Sequence, residues 1–164
     1  QADTQGGQGP AAVASSVFDI VANGRSSRSA LYAREYGYLA ASDTIVMNAD
    51  RVFSAARARA MALTASGYTP PAATPLYLAG PSGKAALMNF VQANAVAGRA
   101  TGHDVIVCDN LASVLTGGAT DQLVPLGEDD VLRLERESFV ALAQTPATLA
   151  RLRHLLETGK PLRN

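Results

Sequence analysis

Two histidines and one cysteine, among fourteen carboxylates, are the side chains that could move a proton or hold a metal in this 164-residue chain. His103 and Asp104 form the adjacent acid–base pair, and Cys108 follows closely. A helix turns about 100° per residue, so His103 and Cys108 stand roughly 140° apart and cannot serve as base and nucleophile on one face. Asp104, three residues after Thr101, reads instead as a capping arrangement that answers the free amides of a helix start with a hydroxyl and a negative charge. Cys108 falls on an apolar face and reads as a small buried hydrophobe. His154 is isolated near the end of a helix, where positive charge suits the dipole, and two separated histidines beside one cysteine give no metal site. Glu135 and Glu137, two apart on a helix, face away from each other; they read as solvated or paired with Arg133 and Arg136. The sequence thus offers no catalytic residue and no metal ligand.

Two stretches could hold an anion. The run from Gly80 to Lys84, after a possible strand and before a helix, is similar to a phosphate-binding loop. The required leading glycine is replaced by Leu78 and the hydroxyl after the lysine by Ala85, so the backbone cradle and the metal-coordinating side chain are both missing. A helix start beside a lysine still favours an anion in general terms. At the chain's end, Lys160 and Arg163 would suit an anionic phosphate.

The elements that must position these groups are helical. Val131, Leu134, Phe139 and Leu142, with Leu132 and Ala143, make a broad apolar face, while Arg133, Glu135, Arg136 and Glu137 occupy much of the rest. Thr145 and Pro146 stop that helix and start another, in which Leu149, Leu152, Leu155 and Leu156 recur up to Gly159. Further upstream, residues 11–23 predict a helix with Val13, Val17, Ile20 and Val21 inward. Ser27 or Ser29 caps a short helix from Ala30 to Glu35. Asn48 caps a long one from Ala49 to Ser66, with Val52, Phe53, Ala56, Ala60 and Leu63 on one face. The helix opened by Gly80 carries Leu87, Met88, Val91 and Ala95 to Gly98. The next, from Gly102 to Thr116, has Val105, Val107, Cys108, Leu111, Ala112, Val114 and Leu115 over more than half its circumference and a polar face of Asp109, Asn110, Ser113 and Thr116, which makes it the central helix. Thr44 to Met47 has β-type residues, and Leu76 to Ala79 reads as a brief strand. The fold class is mostly α, with about six to seven helices and at most very short strands.

Fourteen basic and fourteen acidic residues cancel, which removes the footprint of a nucleic-acid binder or an anionic-membrane binder. No apolar run is long enough to span a bilayer, and the lone cysteine cannot close an internal disulfide. The reading is cytoplasmic. Residues 1–10 are polar and glycine-rich and read as a disordered linker. The remaining residues, 11–164, read as one helical domain or fragment, and a start at Gln1 rather than Met suggests a piece of something longer.

Taken together, several motifs resemble the tail of the large bacterial 3-hydroxyacyl-CoA dehydrogenases. They are Ser42-Asp43 with Met47-Asn48 and Asp50-Arg51, then Gly67 to Pro71, His103-Asp104, Leu115 to Gly118, Leu134 to Phe139, and Thr158 to Asn164. The resemblance implies a fatty-acid β-oxidation protein in which an NAD-binding dehydrogenase part precedes an enoyl-CoA hydratase-like (crotonase) part. Residues 11–75 would then be crotonase-like helices and residues 76–164 a helical tail ending in a hairpin. The dinucleotide fingerprint, the dehydrogenase His–Glu pair and the crotonase oxyanion loops would all lie upstream of Gln1, so no catalytic residue is carried over and this segment alone holds no cofactor. NAD and acyl-CoA would belong to the parent protein, with Lys160 and Arg163 as contacts for the CoA phosphates. Where the family carries a lysine before a serine-rich turn, this chain has Gly24 or Arg25, so a phosphate contact from that loop is not carried over. Expected partners are the upstream catalytic parts and further copies of the chain, with apolar surface left around Val17 and Ile20 and near Phe53 and Ala56. A reading of another class is a free-standing helical module that binds an anion or a partner helix at Gly80 to Lys84.

Overall fold

The structure, a computed structural model, describes residues 9–164. Among them are seven α-helices: α1 (Pro10–Ala22), α2 (Ala30–Glu35), α3 (Val52–Ala65), α4 (Gly80–Val96), α5 (Gly102–Thr116), α6 (Glu128–Ala143) and α7 (Pro146–Thr158). A 3-10 turn at Ala49–Arg51 leads into α3. The mostly helical class read from the sequence holds. The brief strand expected at Leu76 to Ala79 shrinks to one antiparallel bridge between Leu76 and Leu126, whose backbone bonds of 2.8 and 2.9 Å run both ways. Thr44 to Met47 forms no strand. α1 begins at Pro10, inside the stretch read as a linker, and residues 1–8 of that stretch lie outside the described residues.

The helix boundaries follow local chemistry. Ser29 accepts from the Tyr32 amide, Asn48 from the Asp50 amide and Thr145 from the Thr148 amide, each satisfying a donor that the helix itself leaves free. Gly117 and Gly159 close α5 and α7 in the left-handed conformation, with φ of 83° and 67°. α6 starts at Glu128, three residues before the apolar run at Val131, because Glu128, Asp129 and Asp130 place negative charge on its first turn. Asp130 also accepts from the Gly127 amide at 3.0 Å.

Contacts divide the chain into two units. One comprises residues 26–73 and holds α2 and α3. There Asp43 organises a turn by accepting from the Ala40 amide at 2.8 Å, while its carbonyl takes a bond from Arg34 at 3.0 Å. The apolar surface expected to stay bare near Phe53 and Ala56 is exposed: no residue of α3 is buried, and Phe53 is 80% exposed.

The other unit joins residues 9–25 to residues 74–164. Its core is Phe18, Leu87, Val91 and Ala112, with Met88, Val105, Cys108, Leu111 and Leu115 packed against it. α5 touches α1, α4 and α6, so its reading as the central helix holds. The inward face of α1 is corrected. Ala14 and Phe18 are its buried residues, whereas Val21 is exposed and Val17 and Ile20 are half-buried. Phe18 wins the register because one aromatic side chain buries more apolar area than a valine. Since α1 packs on α4 and α5 within the chain, its Val17–Ile20 surface is not left bare as expected.

α4 and α5 meet closely at one end, and glycines make this possible. A Cβ on Gly80 would stand 2.8 Å from the Thr120 carbonyl oxygen, and φ at Gly80 is +61°. A Cβ on Gly83 would collide with that of Ala79 and stand 3.4 Å from Thr116 Cγ2. Thr116, read from the sequence as part of a polar outer face, is instead 0% exposed, its hydroxyl donating to the Ala112 carbonyl at 2.8 Å. A threonine whose hydroxyl is satisfied by its own helix turns its methyl to the neighbour like an apolar residue.

Candidate functional site

The histidine–aspartate pair sits at the start of α5, where the sequence places a cap. The Asp104 amide donates to Thr101 Oγ1 at 3.1 Å, and Asp104 Oδ2 accepts from the Thr101 amide at 2.8 Å, a complete capping box. The second carboxylate oxygen, Oδ1, receives the Arg151 guanidinium from α7 at 2.7 Å. The same guanidinium donates to Thr101 Oγ1 at 3.3 Å, to the Asn164 side-chain oxygen at 2.7 Å and to the Asn164 carbonyl at 3.2 Å. Arg151 is therefore a hub that gathers the α5 N-terminus and residue 164. Burial alone would raise the Asp104 carboxyl, but the Thr101 amide and the Arg151 guanidinium together hold it below the usual carboxylate range.

His103 is 8% exposed, with Nε2 2.9 Å from Thr148 Oγ1. Thr148 Oγ1 lies 2.8 Å from Thr145 Oγ1, which itself donates to the Leu142 carbonyl at 2.7 Å. His103 is thus tied through two threonine hydroxyls to the end of α6. Burial pushes the Cys108 thiol up, and the nearby Asp104 charge adds to this against the opposing pull of Arg151. A thiol so shifted is a poor nucleophile, in keeping with its packing against the core.

The Gly80–Lys84 stretch serves packing. Gly80 and Gly83 lie under Thr120 and against Thr116, and Lys84 pairs with Asp109 of α5 at 2.9 Å. Beside them an open depression of about 430 Å³ is bordered by Pro81, Lys84 and Met88 of α4, Ser113 of α5 and the Gly118–Ala119 turn. Its lysine already has an anionic partner.

Lys160 is exposed, its amide donating to Thr158 Oγ1 at 3.2 Å, whereas Arg163 donates to the Arg99 carbonyl at 2.6 Å. The structure gives these two predicted site residues different neighbours. Glu137 pairs with Arg133 at 3.4 Å, and Arg133 also reaches Asp130 at 3.6 Å; Glu135 is exposed. Among the described residues no three His, Cys, Asp or Glu side chains could share a metal. No described helix is long and apolar enough to cross a membrane.

Sequence reasoning misses Arg151, Thr148 and Asn164, whose partners lie 47, 45 and 13 residues away. One signal was available. Arg151 stands about 160° from Leu149 and about 140° from Leu156, off the side those two share, where a carboxylate of a neighbouring helix could meet it.

No family model matches the chain. No solved structure matches it. Among characterised sequences, the chain is 33% identical over 158 residues to a probable 3-hydroxyacyl-CoA dehydrogenase of Bacillus subtilis (strain 168). The match covers 96% of this chain and 20% of that protein, so the chain spans about a fifth of its relative's length. The resemblance read from the motifs therefore holds.

Proposed function

We propose that this chain is the helical C-terminal portion of a 3-hydroxyacyl-CoA dehydrogenase with an enoyl-CoA hydratase-like region, acting in fatty-acid β-oxidation. Its role is structural: it supports and assembles catalytic parts that lie elsewhere in the polypeptide. The likeness over 96% of the chain to a protein of which it spans 20% carries this reading. The side chains support it, because His103, Asp104 and Lys84, the candidates for chemistry, all have structural partners. NAD and acyl-CoA are then ligands of the whole cytoplasmic protein. Lys160 and Arg163 are contacts for the CoA phosphates, with Arg163 exchanging the Arg99 carbonyl for a charged phosphate, the stronger acceptor.

The isolated chain should leave NADH unoxidised when given a 3-ketoacyl-CoA. Removing the matching portion from the Bacillus protein should lower its melting temperature or break its subunit assembly. Turnover by the isolated chain above a blank would overturn the proposal. So would a shortened relative that keeps its stability, assembly and rate.

A further inference from the structure

α7 is attached to the start of α5 by polar side chains. Ala147, Arg151 and His154 fall within about 60° of one another on the helix and are half-buried. Leu149, Leu152 and Leu156 fall roughly on the opposite side, 49%, 41% and 86% exposed, whereas Leu155, also 49% exposed, stands about 40° from Arg151. No residue of α7 is fully buried, and its links to the start of α5 are polar: Arg151 to Asp104 and Thr101, and Thr148 to His103.

Residues 159–164 complete this attachment. They leave the C-terminal end of α7 and return along the helix to its first turns, where Asn164 Nδ2 donates to the Ala147 carbonyl at 3.1 Å and Asn164 Oδ1 accepts from Arg151. On the way Arg163 ties them to the Arg99 carbonyl, just beyond the end of α4. From Thr158 back to Ala147 the helix rises about 16 Å, within the reach of six extended residues. The segment is a strap, fastened at its far end by the same guanidinium that fastens α7.

We propose that α7 and the strap form a latch that opens as one unit when Arg151 lets go, while α1, α4 and α5 remain packed. Polar bonds can be exchanged for bonds to water at small net loss, whereas the Phe18–Leu87–Val91–Ala112 core has no such substitute. The two attachments therefore differ in how readily they open. Opening uncovers His103 and frees Asp104 from Arg151.

Hydrogen exchange read by mass spectrometry tests this on the intact chain. Arg151→Gln leaves the Thr101–Asp104 capping box in place and should speed exchange of the α7 amides at least tenfold, with the α5 amides around Ala112 unchanged. Arg151→Lys, which keeps the charge but loses the fork to Asn164, should fall between the two. Asn164→Ala, a milder change if the glutamine variant folds poorly, should move α7 in the same direction. Unchanged α7 exchange in these variants, or acceleration of α5 to the same degree, would overturn the latch.

Discussion

α5 carries two seams of opposite character. Toward α4 it presents Ala112 and Thr116 to Leu87, Val91 and Gly83, a contact made close by glycine and filled by apolar groups. Toward α7 it presents His103 and Asp104 to Thr148 and Arg151, a contact made of charge and hydrogen bonds. The difference teaches how to read the sequence's chemical-looking residues. A histidine beside an aspartate and a glycine-rich run before a lysine both suggest a site, yet one is a fastening and the other a place where two helices approach closely.

The contrast should appear first in the core. Phe18→Ala is expected to cost about 3 kcal/mol, as large-to-small changes of buried aromatics do, read as a fall in the urea midpoint with both seams lost together. Gly80→Ala should cost about 2 kcal/mol, since a side chain there needs an unfavourable left-handed backbone and meets the Thr120 carbonyl. A loss of phosphate affinity without loss of stability would instead argue that Gly80 serves an anion.

Asp104→Asn should cost about 1.5 kcal/mol, felt mainly at α7, because it removes a charge-assisted bond and weakens a cap. The pH dependence has a fixed sign. The folded carboxyl titrates below its ordinary value of 3.8, so its contribution is fully present above that value and is lost as pH falls through the lower folded one. Acid should therefore loosen α7 in the wild type and lose part of that effect in Asp104→Asn, measured by exchange across a pH series. The smallest change is Lys84→Met, about 0.5 kcal/mol, because the pair with Asp109 is partly exposed and exchangeable with water. A shift of several kcal/mol there would place the lysine in a more demanding role.

What was legible in the sequence was local. Ser29, Asn48, Thr101 with Asp104, and Thr145 all announce helix starts through bonds spanning two or three residues, and each is found capping. The helical hairpin of α6 and α7 is legible for the same reason. Which face of a helix turns inward was harder, because it depends on the neighbour's shape. Val17 and Ile20 satisfy a helical period as well as Ala14 and Phe18 do, but only the latter pair is buried. Thr116 looked polar until its hydroxyl found the Ala112 carbonyl. The bonds that define the site were beyond reach. Arg151 to Asp104, His103 to Thr148 and Arg163 to Arg99 join residues 45 to 64 positions apart, and no local pattern encodes them.

Native-state hydrogen exchange of the wild-type chain across low urea concentrations tests the two-seam account most directly, since the denaturant slope measures how much surface each opening exposes. The account predicts that amides of α5 near Ala112 exchange with the full slope of global unfolding, while those of α7 exchange with a smaller slope and a lower free energy. A single common slope and free energy for both helices would contradict it.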